Sequence, residues 1–173
     1  MIKVKIRQPR CYGCEHLVAH KSAVPKRVKG VLMKEGFRYC TGGKRTKRFA
    51  AHDPKELVPV WCPRRNAPPV LRIYRLKDEQ SRYMHYMFKS AESSYSPTEH
   101  RYALLYEGKS EFNAIEFQRK AQEDIIFELD GQRLEIDDVI EIDDGLCPYW
   151  FYKQEGAMHC IYFNPKFVVL HGM

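Results

Sequence analysis

The sequence predicts an α+β chain in two parts: a small cysteine-bearing module over residues 1–66, then a compact antiparallel-sheet domain with one or two short helices over 67–173. Three observations carry that prediction. Four of the six cysteines, Cys11, Cys14, Cys40 and Cys62, fall in the first part. Charge divides at the same place, because residues 1–66 hold 17 Lys and Arg against 4 Asp and Glu, whereas residues 67–173 hold 12 against 18. The resulting +13 and −6 sum to the +7 of the whole chain, an asymmetry that assigns the two parts different work. Lastly, runs rich in aromatic and aliphatic residues recur after residue 70 with the look of strands, and one helical period lies among them. The boundary is read at Arg64-Arg65-Asn66-Ala67-Pro68-Pro69, where two prolines stiffen a short connector.

In the first part, residues 2–6 (IKVKI) alternate as a short strand does. Cys11-Tyr12-Gly13-Cys14 forms a turn in which Gly13 lets the backbone curl its amides toward the sulfurs. Phe37 to Cys40 reads as a strand, Thr41-Gly42-Gly43 as a turn, and Lys44 to Phe49 as the return strand. Asp53, Pro54 and Glu56 have the marks of a helix start, which Pro59 stops after about one turn. Cys62 sits in its own Trp-Cys-Pro turn.

Zinc held by thiolates needs four sulfurs about 2.3 Å from one ion, and turns of this kind bring them together. The spacing departs from the usual rule: 25 residues separate Cys14 from Cys40, 21 separate Cys40 from Cys62, and there is a single CxxC. Free cysteines favour apolar cores, which this basic stretch does not offer. The start, MIKVKIRQPR, lacks the apolar core of a signal peptide, and no apolar run approaches a membrane span. The expectation is a soluble, cytosolic chain in a reducing compartment, where metal is favoured over disulfide. An iron–sulfur cluster or a redox thiol pair could use the same residues, and His16, His20 or His52 could replace a cysteine. The reading is a zinc-ribbon-like module with Zn at Cys11, Cys14, Cys40 and Cys62, its own core too small to hold without the metal.

In the acidic part, LRIYRL (71–76), RYMHYMF (82–88) and RYALLY (101–106) read as strands. Ser110 is the expected cap of a helix over 111–122, with Phe112 and Ile115 on one face and Ala114, Phe117 and Ala121 beside it. RLEIDDVIEI (133–142) alternates, with Leu134, Ile136, Ile140 and Ile142 on one side, Glu135, Asp137 and Glu141 on the other, and Asp138 breaking the inner row. A hairpin follows, Tyr149–Lys153 and Ala157–Phe163, turning at Glu155-Gly156. That turn puts Phe151 across from Cys160 and Tyr152 across from His159, and makes both faces of the hairpin apolar. The order IYRLK, RYMHYMF, YALLYEG, a helix with Phe117-Gln118, DGQRLEIDDVIEIDDG and WFY…IYF resembles the YodL-like domain over residues 70–163. Leu134 to Ile140 is the best piece, with Glu135 and Asp137 where that family prefers serine. The resemblance implies an accessory protein of a phage or mobile element, and it supplies no catalytic residues.

For function, Lys44, Arg45, Lys47 and Arg48 lie beside Phe37, Tyr39 and Phe49, with Arg64 and Arg65 able to extend the group. On a two-stranded ribbon these cations would form a compact positive surface for nucleic-acid phosphates. The plainer reading is that they balance the thiolate charge. The acidic row Glu135, Asp137, Asp138, Glu141, Asp143 and Asp144 could be imagined as a two-metal nuclease site, but alternation explains most of it as the wet face of a strand. His159 cannot readily activate Cys160, since strand neighbours point to opposite faces. The expectation is a non-enzymatic, zinc-binding accessory protein whose basic module binds nucleic acid and whose acidic domain binds protein, with no membrane and no small-molecule substrate. The alternative is a protein-only inhibitor or adaptor, such as an anti-CRISPR or anti-restriction factor, and the third a metal-dependent nuclease.

Overall fold

The computed structural model describes residues 9–91, 96–124 and 126–168, so the strand expected at 2–6 lies outside the described residues. The chain divides into two compact units, Arg7–Arg65 and the chain from Asn66 onward.

The unit Arg7–Arg65 contains β1 (Leu17–Ala19), β2 (Lys26–Val28), β3 (Val31–Met33), β4 (Arg38–Cys40) and β5 (Lys47–Arg48). β1, β4 and β5 form an antiparallel sheet in that order, and β2 and β3 form a separate hairpin. The hairpin turns through Lys29 and Gly30, both at positive φ (46° and 81°), as a tight two-residue turn requires. The core is small and centres on Met33, Tyr39 and Phe49. Tyr39 is anchored by accepting the Lys34 N–H at its hydroxyl (2.6 Å).

Two sequence expectations need correction in this unit. The return strand is only Lys47–Arg48, because the chain from Thr41 to Thr46 is irregular. No helix starts at Asp53. Its carboxylate takes the Ala50 N–H (2.6 Å) and the Trp61 indole N–H (2.8 Å), and so ties two loops together instead of capping the next turn. Leu57 bridges to Arg10, which uses backbone groups a helix would need.

The second unit contains β6 (Val70–Leu76), α1 (Glu79–Ala91), β7 (Tyr102–Lys109), α2 (Ala114–Glu123), β8 (Glu128–Leu129), β9 (Gln132–Arg133), β10 (Val139–Asp143), β11 (Pro148–Gln154) and β12 (Ala157–Ile161). Five strands make one antiparallel sheet in the order β12-β11-β10-β6-β7. Alternate residues feed two cores. On one face Leu71, Ile73, Ile140, Ile142 and Phe151 pack with Ala114 and Phe117 of α2. On the other, Tyr74, Tyr102, Val139, Tyr152, Ile161 and Phe163 pack together. Burial on both faces explains why the β11–β12 hairpin is apolar on both, and its register is the one the turn predicts.

RYMHYMF is helix, not strand. Asp78 accepts the Ser81 N–H (2.6 Å) at the helix start, and the buried positions Ser81 and His85 are one helical turn apart. Aromatic propensity misleads here because five apolar side chains of α1 (Tyr83, Met84, Tyr86, Met87 and Phe88) face outward. α2 is capped by Asn113, whose side chain accepts from Ile115 and Glu116 while Glu116 returns to the Asn113 N–H. Ser110, the expected cap, closes its hydroxyl on the main chain of Phe112 instead. RLEIDDVIEI is not one strand: Asp137 turns the chain at φ 74°, Ile136 is 53% exposed, and β10 begins only at Val139.

Candidate functional site

The first turn of the cysteine module forms as the sequence predicts. Gly13 has φ 81°, and the Cys14 N–H closes on the Cys11 carbonyl (2.9 Å). The Cys11 N–H is held by the Glu56 carbonyl (2.8 Å), and Leu17 N–H by that of Cys14 (3.0 Å). Cys40 ends β4, paired with Leu17 on one side and Lys47 on the other. The turn after it is pinned by Lys29, whose ammonium donates to the carbonyls of Thr41 (2.5 Å) and Gly43 (3.0 Å). A Cβ at Gly42 would stand 2.9 Å from the His16 ring, so any other residue there would force that ring to shift. Cys62 lies in a turn between the Pro59 carbonyl (3.1 Å) and the Arg65 N–H (3.0 Å).

These turns bring the four thiols near one another. Burial, then the nearby Cys62, Cys14 and Cys40, push the Cys11 thiol above its ordinary pKa, while Arg38 pulls it down. Cys11 is buried and the other three are half-buried. Yet among the described residues no group of three or more His, Cys, Asp or Glu side chains stands in an arrangement that could hold a metal ion. Cys11 feels the charge of the other three thiols, but the four do not form a ligand set among the described residues.

The cations are not one compact surface. Lys47 pairs with Cys40 and Arg48 with Tyr39, so the two point to opposite faces of the ribbon. Lys47 lies over the Trp61 ring (4.3 Å) and Arg48 over Phe37 (4.7 Å). Lys44, Arg45 and Arg64 are exposed. Among the described residues, none of these five has a carboxylate within ion-pair distance. Arg65 differs, because its guanidinium donates to the carbonyls of Val58 (3.1 Å) and Pro59 (3.2 Å) and builds the Cys62 turn.

The acidic row is not a wet strand face. Glu141 is 2% exposed and accepts from Arg72 (2.8 Å) and Tyr74 (2.5 Å). Burial and then that bond to Glu141 push the Tyr74 hydroxyl pKa far up. Asp138 is equally buried and takes both arms of Arg75 (2.9 and 2.7 Å) and the Glu135 N–H (2.8 Å). Burial outweighs these contacts and raises its pKa. Asp137 accepts from Lys89 (2.6 Å) and Tyr152, with His85 at 3.4 Å. Burial alone would raise its pKa, but His85, Lys89 and Tyr152 hold it below the usual carboxylate range. Sequence reasoning missed these networks because their cations, Arg72, Arg75 and Lys89, lie about 50 to 70 residues from the acids in sequence. Asp143 and Asp144 form the expected turn, taking the N–H groups of Gly145 (2.8 Å) and Leu146 (3.0 Å).

His159 and Cys160 point to opposite faces as alternation requires, His159 across from Tyr152 and Cys160 across from Phe151. Burial raises the Cys160 thiol to about 11, against nucleophilic use near neutrality. Among the described residues no helix is long and apolar enough to cross a membrane. No family model, curated protein or solved structure matches the chain.

Proposed function

We propose that the unit Arg7–Arg65 is a zinc-stabilised module that binds the phosphate backbone of nucleic acid without catalysing a reaction. The observation that carries this reading is the set of exposed cations, Lys44, Arg45, Lys47, Arg48 and Arg64, none of which has a carboxylate within ion-pair distance among the described residues, Asp53 feeling Lys47 only at longer range. Positive charge that the fold does not neutralise is available to an anion, and a polyanion meets several cations at once. The proximity of Cys14, Cys40 and Cys62 to Cys11 supports Zn as the structural centre. The metal would supply a cross-link between three turns that the small core of Met33, Tyr39 and Phe49 does not otherwise join. Placement of cations on both ribbon faces makes the contact one that wraps the β5 edge instead of lying on a flat patch.

The second unit then serves a protein partner. Its outward α1 side chains, Tyr83, Met84, Tyr86 and Met87, are of the types enriched in protein interfaces. We read such a pairing as belonging to a phage or mobile element, as the resemblance of residues 70–163 to the YodL-like domain implies, with the protein-only inhibitor or adaptor as the competing role.

Salt-dependent binding tests the reading. Changing Lys44, Arg45, Lys47 and Arg48 together to Ala should weaken binding to DNA and RNA probes of any sequence. The slope of log affinity against log salt should fall by about one unit for each phosphate that no longer meets a cation. Zinc content should stay unchanged. A variant that keeps its zinc and binds as before removes nucleic acid from the reading, and one that loses zinc makes these cations partners of the thiolates.

A further inference from the structure

The two edges of the five-stranded sheet differ in a way that points to a partner. β7 is guarded: it carries an extra residue, Leu105, in a bulge opposite Ile73 and Tyr74, and ends in the charged Glu107 and Lys109. β12 reads Ala157-Met158-His159-Cys160-Ile161, with no Lys, Glu, Asp, Arg or proline, and its pairing with β11 is unbroken. It has β11 on one side, and among the described residues no strand pairs with the other.

The outward groups can be identified. Lys153 uses its N–H on the Asp138 carbonyl (2.9 Å) and its carbonyl on the Asp137 N–H (2.8 Å), both on the side away from β12. Met158, directly opposite Lys153, therefore turns its own N–H and C=O away from β11. By alternation Cys160 does the same. A cavity of about 320 Å³ runs beside this edge, lined by Gln118, Ala121 and Gln122 of α2 and by residues 156 to 160. None of its lining residues is Asp, Glu, Lys or Arg.

We infer that β12 pairs with β12 of a second copy of this chain, antiparallel about a two-fold axis at His159. In that register Met158 faces Cys160 of the other copy, so the outward N–H and C=O groups of both strands are satisfied together. Across that axis only residue 159 faces its own copy, and no Lys, Arg, Asp or Glu of either strand is set against a like charge. The part of the chain over residues 67–173 carries −6, and this neutral edge is where two copies can meet without that cost. The axis stands perpendicular to the sheet, so both α2 helices lie on one face and Met158 and Cys160 of each copy enter the neutral groove beside the other.

Light scattering on the full-length chain should give twice 20.5 kDa at high micromolar concentration. Met158→Pro removes an outward N–H and inserts a ring into the new interface, and should return the mass to one chain. Because that proline could disturb the hairpin, a second variant reads the register directly. His159→Cys would face itself across the axis at about 4.5 Å between Cα atoms, within disulfide reach. Under mild oxidation it should cross-link about 10-fold faster than Leu105→Cys on the guarded edge. A wild-type chain that stays monomeric overturns the proposal. So does equal cross-linking of the two variants, or a dimer that forms only once residues 1–8 are removed, which would mean that a segment of the same chain covers the edge.

Discussion

Among single residues, the buried carboxylates decide most. Glu141 has two donors and almost no water, so Glu141→Ala takes the acceptor from the buried Tyr74 hydroxyl, while Arg72 keeps Glu107 (2.5 Å) and, at 3.8 Å, Asp143. Leaving a buried hydroxyl without its partner costs about 1–3 kcal/mol, and urea denaturation should show it; Glu141→Gln, which keeps the shape and an acceptor oxygen, should cost less. Asp137 makes a pH prediction. Its folded pKa is below its unfolded one, so it contributes stability that is present above about pH 4 and is lost as pH falls. Asp138 has the opposite sign: its raised folded pKa favours the fold at low pH, and that contribution is lost as pH rises through the folded value. Denaturation between pH 2 and 7, scale set by the carboxylate range, should therefore show Asp137→Asn flattening the acid limb and Asp138→Asn steepening it.

Among elements, the two helices show what local chemistry controls. The capping box of α2 is made by Asn113 and Glu116, so Asn113→Ala should cost about 1 kcal/mol in chemical denaturation. Ser110→Ala should leave the helix start intact, since its hydroxyl serves the Phe112 loop. α1 is held differently. It buries Ser81 and His85, and its link to the rest is polar: His85 to Tyr152 (2.9 Å) and Lys89 to Asp137 (2.6 Å). Attachment through polar groups leaves its Tyr and Met residues exposed, and these are the side chains that the proposed protein partner would meet.

For the molecule as a whole, the two units should respond separately to metal. Purified protein should contain close to one zinc per chain, and Cys40→Ser should lose it. A chelator should then collapse the amide dispersion of the Arg7–Arg65 unit, whose sheet strands have three residues at most, and leave that of the second unit unchanged. A chain beginning at Ala67 should fold without zinc, because its sheet carries a core on each face. If that fragment is unfolded by circular dichroism while the full chain is folded, the units are not independent.

Much of this was legible in the chain. Strand β6, strand β7 and the β11–β12 hairpin with its register follow from residue type and one two-residue turn, since strand pairing across a tight turn is a local matter. The Cys11–Cys14 turn follows from Gly13 for the same reason. What sequence could not show is where distant partners meet. Asp53 looks like a helix cap until Trp61 and Ala50 claim its oxygens, and Asp138 looks like a misplaced inner residue until Arg75 arrives from 63 positions away. RYMHYMF looks like a strand because propensity assumes that aromatic residues are buried, and here the fold buries Ser81 and His85 instead. The sequence by itself determined the local turns, the charge division and the strands with two apolar faces. Only the tertiary structure decided which polar groups are buried, because burying a charge is tolerable only once its partner is in place, and that partner comes from far along the chain.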